Sequence, residues 1–290
     1  MLSSGVSATA PQGISRGSSL ETCSDAVPLE NPVAVGSVQI AVVPAENTTV
    51  VPATWQELEP GPLLDENANR PFYFACKRFV DVCLASVIVL LLTPVFLLIA
   101  VLIKLDSRGP VFFTHERVGA RRKRIGRKSV WVVTKFGMHK FRSMRPNADS
   151  RVHEAYIRDF VAGRVQPNED SGGKFKLTND PRVTRVGRLL RRTSLDELPQ
   201  LFNVLKGQMS LVGPRPVPTY EVACYRNGEH KRLAALPGIT GFWQVNGRCQ
   251  VSFEEMIRMD LEYIRRASLW LDLQILFQTI PAVLGGRGAE

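Results

Sequence analysis

Two adjacent carboxylates follow two arginines in a segment whose residue types suit phosphoryl chemistry. The segment runs from Arg191 to Glu197 and leads into an apolar stretch, Leu198 to Leu205. One interpretation is structural, because Ser194 and Glu197 match the capping box that opens many helices. The other is catalytic, since a helix N-terminus flanked by arginines stabilises an ionised carboxylate and attracts phosphate. An ionised Asp196 would then be a nucleophile toward a phosphoryl group.

Charge is unevenly distributed along the 290 residues. Residues 1–70 carry eight acidic and two basic side chains, whereas the whole chain has a formal charge of +10. The remaining 220 residues therefore carry +16, which favours anionic partners such as phosphorylated ligands, nucleic acid or an anionic membrane surface. The five cysteines show no C-x-x-C spacing, and no zinc-hydrolase, serine-hydrolase or P-loop motif is present.

A long apolar segment is the strongest structural signal. Residues 1–70, rich in Ser, Gly, Pro, Ala and Thr, are predicted to be a disordered N-terminal extension. From Val82 to Ile103 there are 22 residues without a charge, which predicts a membrane segment. Basic residues flank both ends, so the positive-inside rule drives neither end across. We predict a re-entrant membrane hairpin over residues 71–108, kinked at Thr93 and Pro94; an ordinary spanning helix is the alternative.

Residues 109–290 are predicted to form a cytosolic catalytic domain of the α+β class, mainly helical. A small β-hairpin is expected from Val111–Thr114 and Trp131–Phe136, followed by a turn at Gly137. Helical patterns follow over His153–Val161, Val183–Arg192, Leu198–Leu205, Tyr220–Leu233, Phe253–Ile264 (with a capping box at Ser252 and Glu255) and Leu269–Ile280. The last is too short to cross a bilayer, so we expect an interfacial or packed helix stopped by Pro281.

A basic run from Arg121 to Lys128 has three interpretations: a solvated loop, a contact with anionic lipid head groups, or a nucleic-acid patch. The neighbouring apolar segment favours lipid contact. No aromatic side chains interleave the basic ones, as binding to single-stranded nucleic acid would require. We therefore expect a lipid bilayer as partner and no nucleic acid.

Short motifs recur in a fixed order between Lys77 and Leu284, over about 70% of the chain. They are Lys77–Asp81, Thr93-Pro94, Gly109–Phe113, Glu116–Gly119, Lys140–Met144, Thr178–Arg182, Ser194–Gln200, Val212–Pro216 and Gln244–Arg248. Together they resemble the bacterial sugar transferase family, the monotopic polyprenyl-phosphate phosphoglycosyl transferases, of the type that initiates exopolysaccharide chains.

The resemblance implies transfer of a hexose 1-phosphate, glucose or galactose, from a UDP-sugar to undecaprenyl phosphate with release of UMP. This would be the first membrane step of exopolysaccharide biosynthesis, at the cytoplasmic face of the bacterial inner membrane. Asp196 would form a phospho-aspartyl sugar intermediate, and Glu197 would be the partner carboxylate associated with Mg²⁺. The resemblance also implies basic active-site roles for Lys140, Arg191, Arg215 and Arg248, and the hairpin kink at Thr93 and Pro94.

Two other functions fit the same residues. A membrane aspartyl-phosphate hydrolase would use the same carboxylates with water as the acceptor. A non-catalytic, membrane-anchored adaptor would bind lipid or nucleic acid through the basic face, and for it Asp196 would be dispensable. The sequence leaves open the sugar, the polysaccharide, the role of residues 1–70 and whether the chain forms a homo-oligomer.

Overall fold

The computed structural model describes residues 66–145, 151–164, 182–226, 228–247 and 251–284. The helices are α1 (Pro71–Asp106), α2 (Arg151–Val161), α3 (Arg185–Arg192), α4 (Gln200–Leu205), α5 (Thr219–Val222), α6 (Phe242–Asn246), α7 (Phe253–Arg266) and α8 (Leu269–Leu284). The strands are β1 (Phe112–Ile125), β2 (Lys128–Phe141), β3 (Ser210–Val212) and β4 (Gly238–Thr240), and 3-10 turns span Glu66–Asn69, Leu195–Glu197 and Glu229–Leu233. For these residues the predicted α+β, mainly helical class is confirmed, whereas the predicted N-terminal extension lies almost wholly outside them.

Helix α1 is continuous over 36 residues, or about 54 Å at the α-helical rise. Pro71 occupies its first turn, where the missing N–H costs nothing. Its most apolar window has a mean hydropathy of 3.0, so by length and composition the helix is suited to a membrane. Pro94 lies inside the helix, and the Thr93 hydroxyl just before it donates a hydrogen bond to the Val89 carbonyl at 2.9 Å. The re-entrant kink at this point stays a prediction.

One face of α1 packs on the rest of the domain through two groups of buried residues, one up to Ala85 and one from Ile99 onward. Its buried residues recur at helical spacing: Tyr73, Lys77, Asp81, Ala85, Ile99 and Ile103. The opposite face exposes large apolar side chains, namely Phe72, Phe79, Leu84, Val87, Leu90, Leu91, Leu97, Leu98, Val101, Leu102 and Leu105. One face of the helix therefore contacts protein, whereas the opposite face is apolar and exposed.

Polar contacts fix α1 at both ends. Near its start, Lys77 Nζ donates to Asp272 Oδ2 of α8 at 2.9 Å, and the Tyr73 hydroxyl donates to the same oxygen at 3.0 Å. One turn on, Asp81 Oδ1 accepts from the Leu211 N–H at 3.0 Å. At the far end, Asp106 Oδ2 accepts from the Val186 N–H of α3 at 3.1 Å. Because these groups are partnered, charges can lie in an otherwise apolar helix.

The β-hairpin is longer than the sequence suggested. Strands β1 and β2 pair over 14 residues each, and the hairpin turns at Gly126, which has a φ of 61°. The basic run from Arg121 therefore belongs mainly to β1, so its interpretation as a loop is wrong. The predicted turn at Gly137 is also wrong, because this residue lies inside β2. A Cβ atom there would lie 2.7 Å from the Thr114 side chain, which explains a glycine within a strand.

Strands β3 and β4 form a short parallel sheet that packs against α8, and β3 also contacts α1 and α4. The predicted helices α2, α3, α7 and α8 are confirmed, although α8 continues past Pro281. The helix predicted over Tyr220–Leu233 is wrong, because Gly228, with a φ of 88°, separates α5 from a 3-10 turn. In α8, Ile275 is buried whereas Trp270, Phe277 and Ile280 are exposed, as expected for an interfacial helix.

Replacing Asp272 tests the attachment of α1. Asp272→Leu leaves the buried Lys77 ammonium without its counter-charge, so we expect the free energy of unfolding to fall by about 3–5 kcal/mol. The control is Glu262→Gln, which removes an exposed ion pair with Arg266 and should cost at most about 1 kcal/mol. Unfolding followed by circular dichroism in detergent measures both; equal losses would show that the buried pair does not anchor the helix.

Candidate active site

The two adjacent carboxylates lie on a 3-10 turn, Leu195–Glu197, between α3 and α4. Helix α3 begins with Thr184, whose hydroxyl accepts a hydrogen bond from the Gly187 N–H at 2.9 Å. Gly187 packs directly on the backbone of Ser143, where no side chain would fit. This contact holds α3 against the segment that follows β2, and so fixes where the turn begins.

The capping box predicted at Ser194 and Glu197 is wrong. Ser194 has a φ of 55°, in the left-handed region, and its side chain makes no capping hydrogen bond. Glu197 Oε1 instead accepts a hydrogen bond from Lys140 Nζ of β2 at 2.7 Å, and α4 begins only at Gln200. The second predicted capping box is confirmed at its serine, since Ser252 Oγ accepts from the Glu255 N–H at 3.2 Å.

A cavity that is open to solvent lies beside this turn. Its walls come from β1, β2, the turn, α4, the segment after β3, β4 and α6. The lining residues are Arg117, Met138, Lys140, Glu197, Gln200, Arg215, Pro216, Gly238, Ile239 and Gln244. The fold thus brings together three of the predicted site residues, Lys140, Glu197 and Arg215, from distant parts of the sequence.

The cavity is electropositive. Among the described residues it is lined by three cationic side chains and one carboxylate, and that carboxylate, Glu197, is paired with Lys140. Arg117 is buried, and burial followed by the nearby charge of Arg215 lowers the pKa of its guanidinium to about 10. Excess positive charge in a partly enclosed space stabilises bound phosphate.

Sequence reasoning assigned no role to Arg117 or Gln244. Each belongs to a motif that carried the family resemblance, but neither was treated as a site residue. Gln244 Oε1 is buried and has no hydrogen-bond partner among the described residues, so it offers a polar atom near the cavity. Position within these motifs was the signal that could have found both.

The other predicted site residues are placed less directly. Asp196 is only 6% exposed and precedes Glu197 in the turn, but it does not line the cavity in the described part of the chain. Arg191 lies in the last turn of α3 and is half-buried. Arg248 lies outside the described residues. The roles of these three residues stay predictions.

The carboxylates fit Mg²⁺ only as a shared site. Among the described residues, no group of three or more His, Cys, Asp or Glu side chains is placed to hold a metal. Mg²⁺, however, commonly takes one or two carboxylates and completes its shell with water and substrate phosphates. Glu197, on the wall of an electropositive cavity, meets that requirement.

Comparison with known proteins identifies the family. The family model for bacterial sugar transferases matches residues 72–286 of the chain. This range contains α1, the β-hairpin and the cavity, and it covers well over half of the protein. The chain therefore belongs to the bacterial sugar transferase family, and the resemblance seen in its motifs is confirmed.

Individual relatives share the same region. The exopolysaccharide production protein ExoY of Rhizobium meliloti (strain 1021) is 41% identical over 227 residues, which cover 78% of this chain and 92% of the relative. The UDP-galactose-lipid carrier transferase of Erwinia amylovora is 45% identical over 213 residues, covering 73% of this chain but 41% of the relative. The UDP-glucose:undecaprenyl-phosphate glucose-1-phosphate transferase of Escherichia coli (strain K12) is 42% identical over 212 residues, covering 70% and 39%.

The backbone at Ser194 generates a stability prediction. A left-handed conformation costs a non-glycine residue about 1–2 kcal/mol, partly offset in a glycine variant by its more flexible unfolded state. We expect Ser194→Gly to be neutral or up to about 1 kcal/mol more stable, and Ser194→Val to be about 1–3 kcal/mol less stable. Thermal unfolding measures both variants; a glycine variant as unstable as the valine variant would show that the serine side chain supports the turn.

Proposed function

We propose that the protein transfers a hexose 1-phosphate from a UDP-sugar to undecaprenyl phosphate and releases UMP. The observation that carries this proposal is the electropositive cavity beside an adjacent pair of carboxylates, built on a domain with a long apolar helix. The relatives named above support it, since their names specify UDP-galactose, UDP-glucose and undecaprenyl phosphate. Glucose and galactose are therefore the proposed sugars, and exopolysaccharide initiation is the proposed role.

In the first proposed step, an Asp196 carboxylate oxygen attacks the phosphorus that carries the sugar. A bond forms between the carboxylate and this phosphorus, and the bond to the oxygen that bridges the two phosphorus atoms breaks. That oxygen leaves with its electron pair as part of UMP. In the second step, a phosphate oxygen of undecaprenyl phosphate attacks the same phosphorus, and the Asp196 carboxylate is released unchanged.

The neighbouring side chains are assigned to charge and orientation. Lys140 pairs with Glu197 at 2.7 Å and so holds this carboxylate at the cavity wall. Arg215 lines the cavity, where it would neutralise phosphate oxygens while UMP departs. Arg191 and Arg248 are proposed as further basic residues of the site. Glu197 would hold Mg²⁺ together with the substrate phosphates, and the bound ion would offset their negative charge.

The contacts of α1 support a re-entrant position at the cytoplasmic face. A spanning helix would need about 20 consecutive residues surrounded by lipid, whereas buried residues of α1 contact its own domain in both halves of the helix, up to Ala85 and again from Ile99 onward. Both Lys77 and Asp106, at opposite ends, bond to the same domain. The exposed apolar faces of α1 and α8 are then the surfaces that enter the bilayer.

Asp196→Asn tests the proposed chemistry. The variant lacks the nucleophile, so UMP release from UDP-glucose or UDP-galactose with undecaprenyl phosphate should fall by at least about 10³-fold. The matched control is Asp159→Asn, an exposed aspartate paired with Arg164, which should keep wild-type rates. Mass spectrometry of wild-type protein incubated with UDP-sugar alone should detect a phosphohexose adduct on Asp196, and EDTA should suppress UMP release.

Three results would contradict the proposal, each in a different way. Normal turnover by the Asp196→Asn variant would show that Asp196 is not the nucleophile. Release of free sugar phosphate without the lipid acceptor would indicate the hydrolase. Absence of UMP release by the wild type, with intact lipid binding, would favour the adaptor.

The membrane position has its own test. Single-cysteine variants keep either the native Cys23 or a new thiol made by Arg108→Cys, so that the two thiols flank α1. In inverted membrane vesicles, whose cytoplasmic face is outside, an impermeant maleimide should label both thiols. Intact spheroplasts should leave both unlabelled. Labelling of one thiol on each side would instead establish a spanning helix.

A further inference from the structure

We infer that Arg117, acting beside Arg215, binds phosphate oxygens of the nucleotide sugar in the cavity. The inference rests on the proposed function and deepens it by adding a residue to its site. The exposure, contacts and surroundings of Arg117 are those expected of an arginine that binds a ligand.

The backbone fixes the position of Arg117. The next residue in β1, Val118, donates its N–H to the Val217 carbonyl at 2.7 Å, forming an isolated antiparallel bridge. This bridge joins β1 to the proline-rich segment that carries Arg215. Both guanidinium groups therefore line one cavity although about a hundred residues separate them in sequence.

The side chain of Arg117 is buried without an ion pair to the described residues. It is 8% exposed, its Nη2 lies 3.2 Å from His115 Nδ1, and its Nε has no hydrogen-bond partner in the described part of the chain. Among the described residues, no carboxylate forms an ion pair with it. Burying an unpaired guanidinium is unfavourable, and the like charge of Arg215 makes it more so, while the charges of Glu221 and Glu197 offset part of this cost.

The other buried arginines of the described residues, Arg142 and Arg232, differ from Arg117 in their contacts. Arg232, 1% exposed, pairs with Asp260 at 2.5 Å and with Glu221 at 3.3 Å, and it donates to the Tyr225 hydroxyl. Arg142 donates to the Ser107 carbonyl and hydroxyl, while its Nε and Nη1 lack partners among the described residues. Arg142 and Arg232 do not line the cavity, whereas Arg117 does, so the partner that Arg117 lacks is one that the cavity can hold.

The missing partner is an anion with several oxygens. A guanidinium presents a planar fork of N–H donors that matches two phosphate oxygens, and two such groups suit a diphosphate. Glu197, the one carboxylate that the described residues contribute to the cavity, is already engaged by Lys140. The diphosphate of a UDP-sugar therefore matches both the geometry and the charge of this wall.

Calorimetric titration of UDP into the full-length protein in nanodiscs tests the inference directly. We expect Arg117→Gln to weaken UDP binding, and to lower kcat/KM for the UDP-sugar, by roughly 10- to 100-fold, the loss typical of a charged hydrogen bond. Arg117→Lys, which keeps the charge but not the fork, should lie between this variant and wild type. The control Arg258→Gln removes an exposed arginine of α7 and should match wild type.

Thermal unfolding separates ligand binding from a structural role. If Arg117 awaits an anion, Arg117→Gln should unfold at an unchanged or higher temperature without ligand, and UDP should stabilise it less than wild type. A structural arginine would give the reverse: a lower unfolding temperature and full stabilisation by UDP. That result, or wild-type UDP affinity in Arg117→Gln, would overturn the inference.

The two proposals fail separately. If wild type binds UDP through Arg117 but releases no UMP, the phosphate site stands and the transferase proposal falls. If wild type turns over normally and Arg117→Gln does the same, the transferase proposal stands and the inference falls. Should Arg117→Gln not fold, Arg117→Lys decides, because unchanged UDP affinity in that variant would exclude a role for the planar fork.

Discussion

The buried ion pair between Lys77 and Asp272 constrains the whole structure. It lies inside the contact face of a helix that is otherwise apolar, and both charges lose hydration when they are buried. Since neither charge is tolerated in hydrocarbon, the pair determines which side of α1 faces protein and which side remains for lipid. The helix therefore has a defined rotation about its axis. The cavity, built on the domain that α1 contacts, is consequently held at a set distance from the apolar surface.

The cavity shows a second balance, between folding and binding. Its wall contains two arginines close enough for the charge of one to disfavour the charge of the other. Folding alone gains nothing from this arrangement, because a neutral side chain at either position would remove the repulsion. A phosphate ligand reverses the balance by supplying the counter-charge. Active sites commonly contain residues that lower the stability of the fold. Residues in an energetically unfavourable environment are therefore informative about what the protein binds.

The sequence predicted features that are determined within one segment better than features that depend on contacts between residues far apart in the sequence. Local patterns identified α1, α2, α3, α7 and α8, because helical periodicity is read within a single segment. The capping box failed since Lys140, 57 residues away, takes the Glu197 carboxylate. Arg117 was overlooked for the same kind of reason: its place in the cavity follows from a single bridge between Val118 and Val217. Motif resemblance located Lys140 and Arg215, which no local rule could have brought together.

The close contact between Gly187 and the backbone of Ser143 has an architectural consequence. Ser143 follows the strand that carries Lys140, and Gly187 belongs to the helix that leads to Glu197. The absence of a side chain at position 187 therefore allows the segments that carry Lys140 and Glu197 to approach each other closely. A methyl group at this position would collide with the Ser143 backbone, and the displacement would widen the separation between Lys140 and Glu197. The dimensions of the cavity therefore depend on a residue that does not line it.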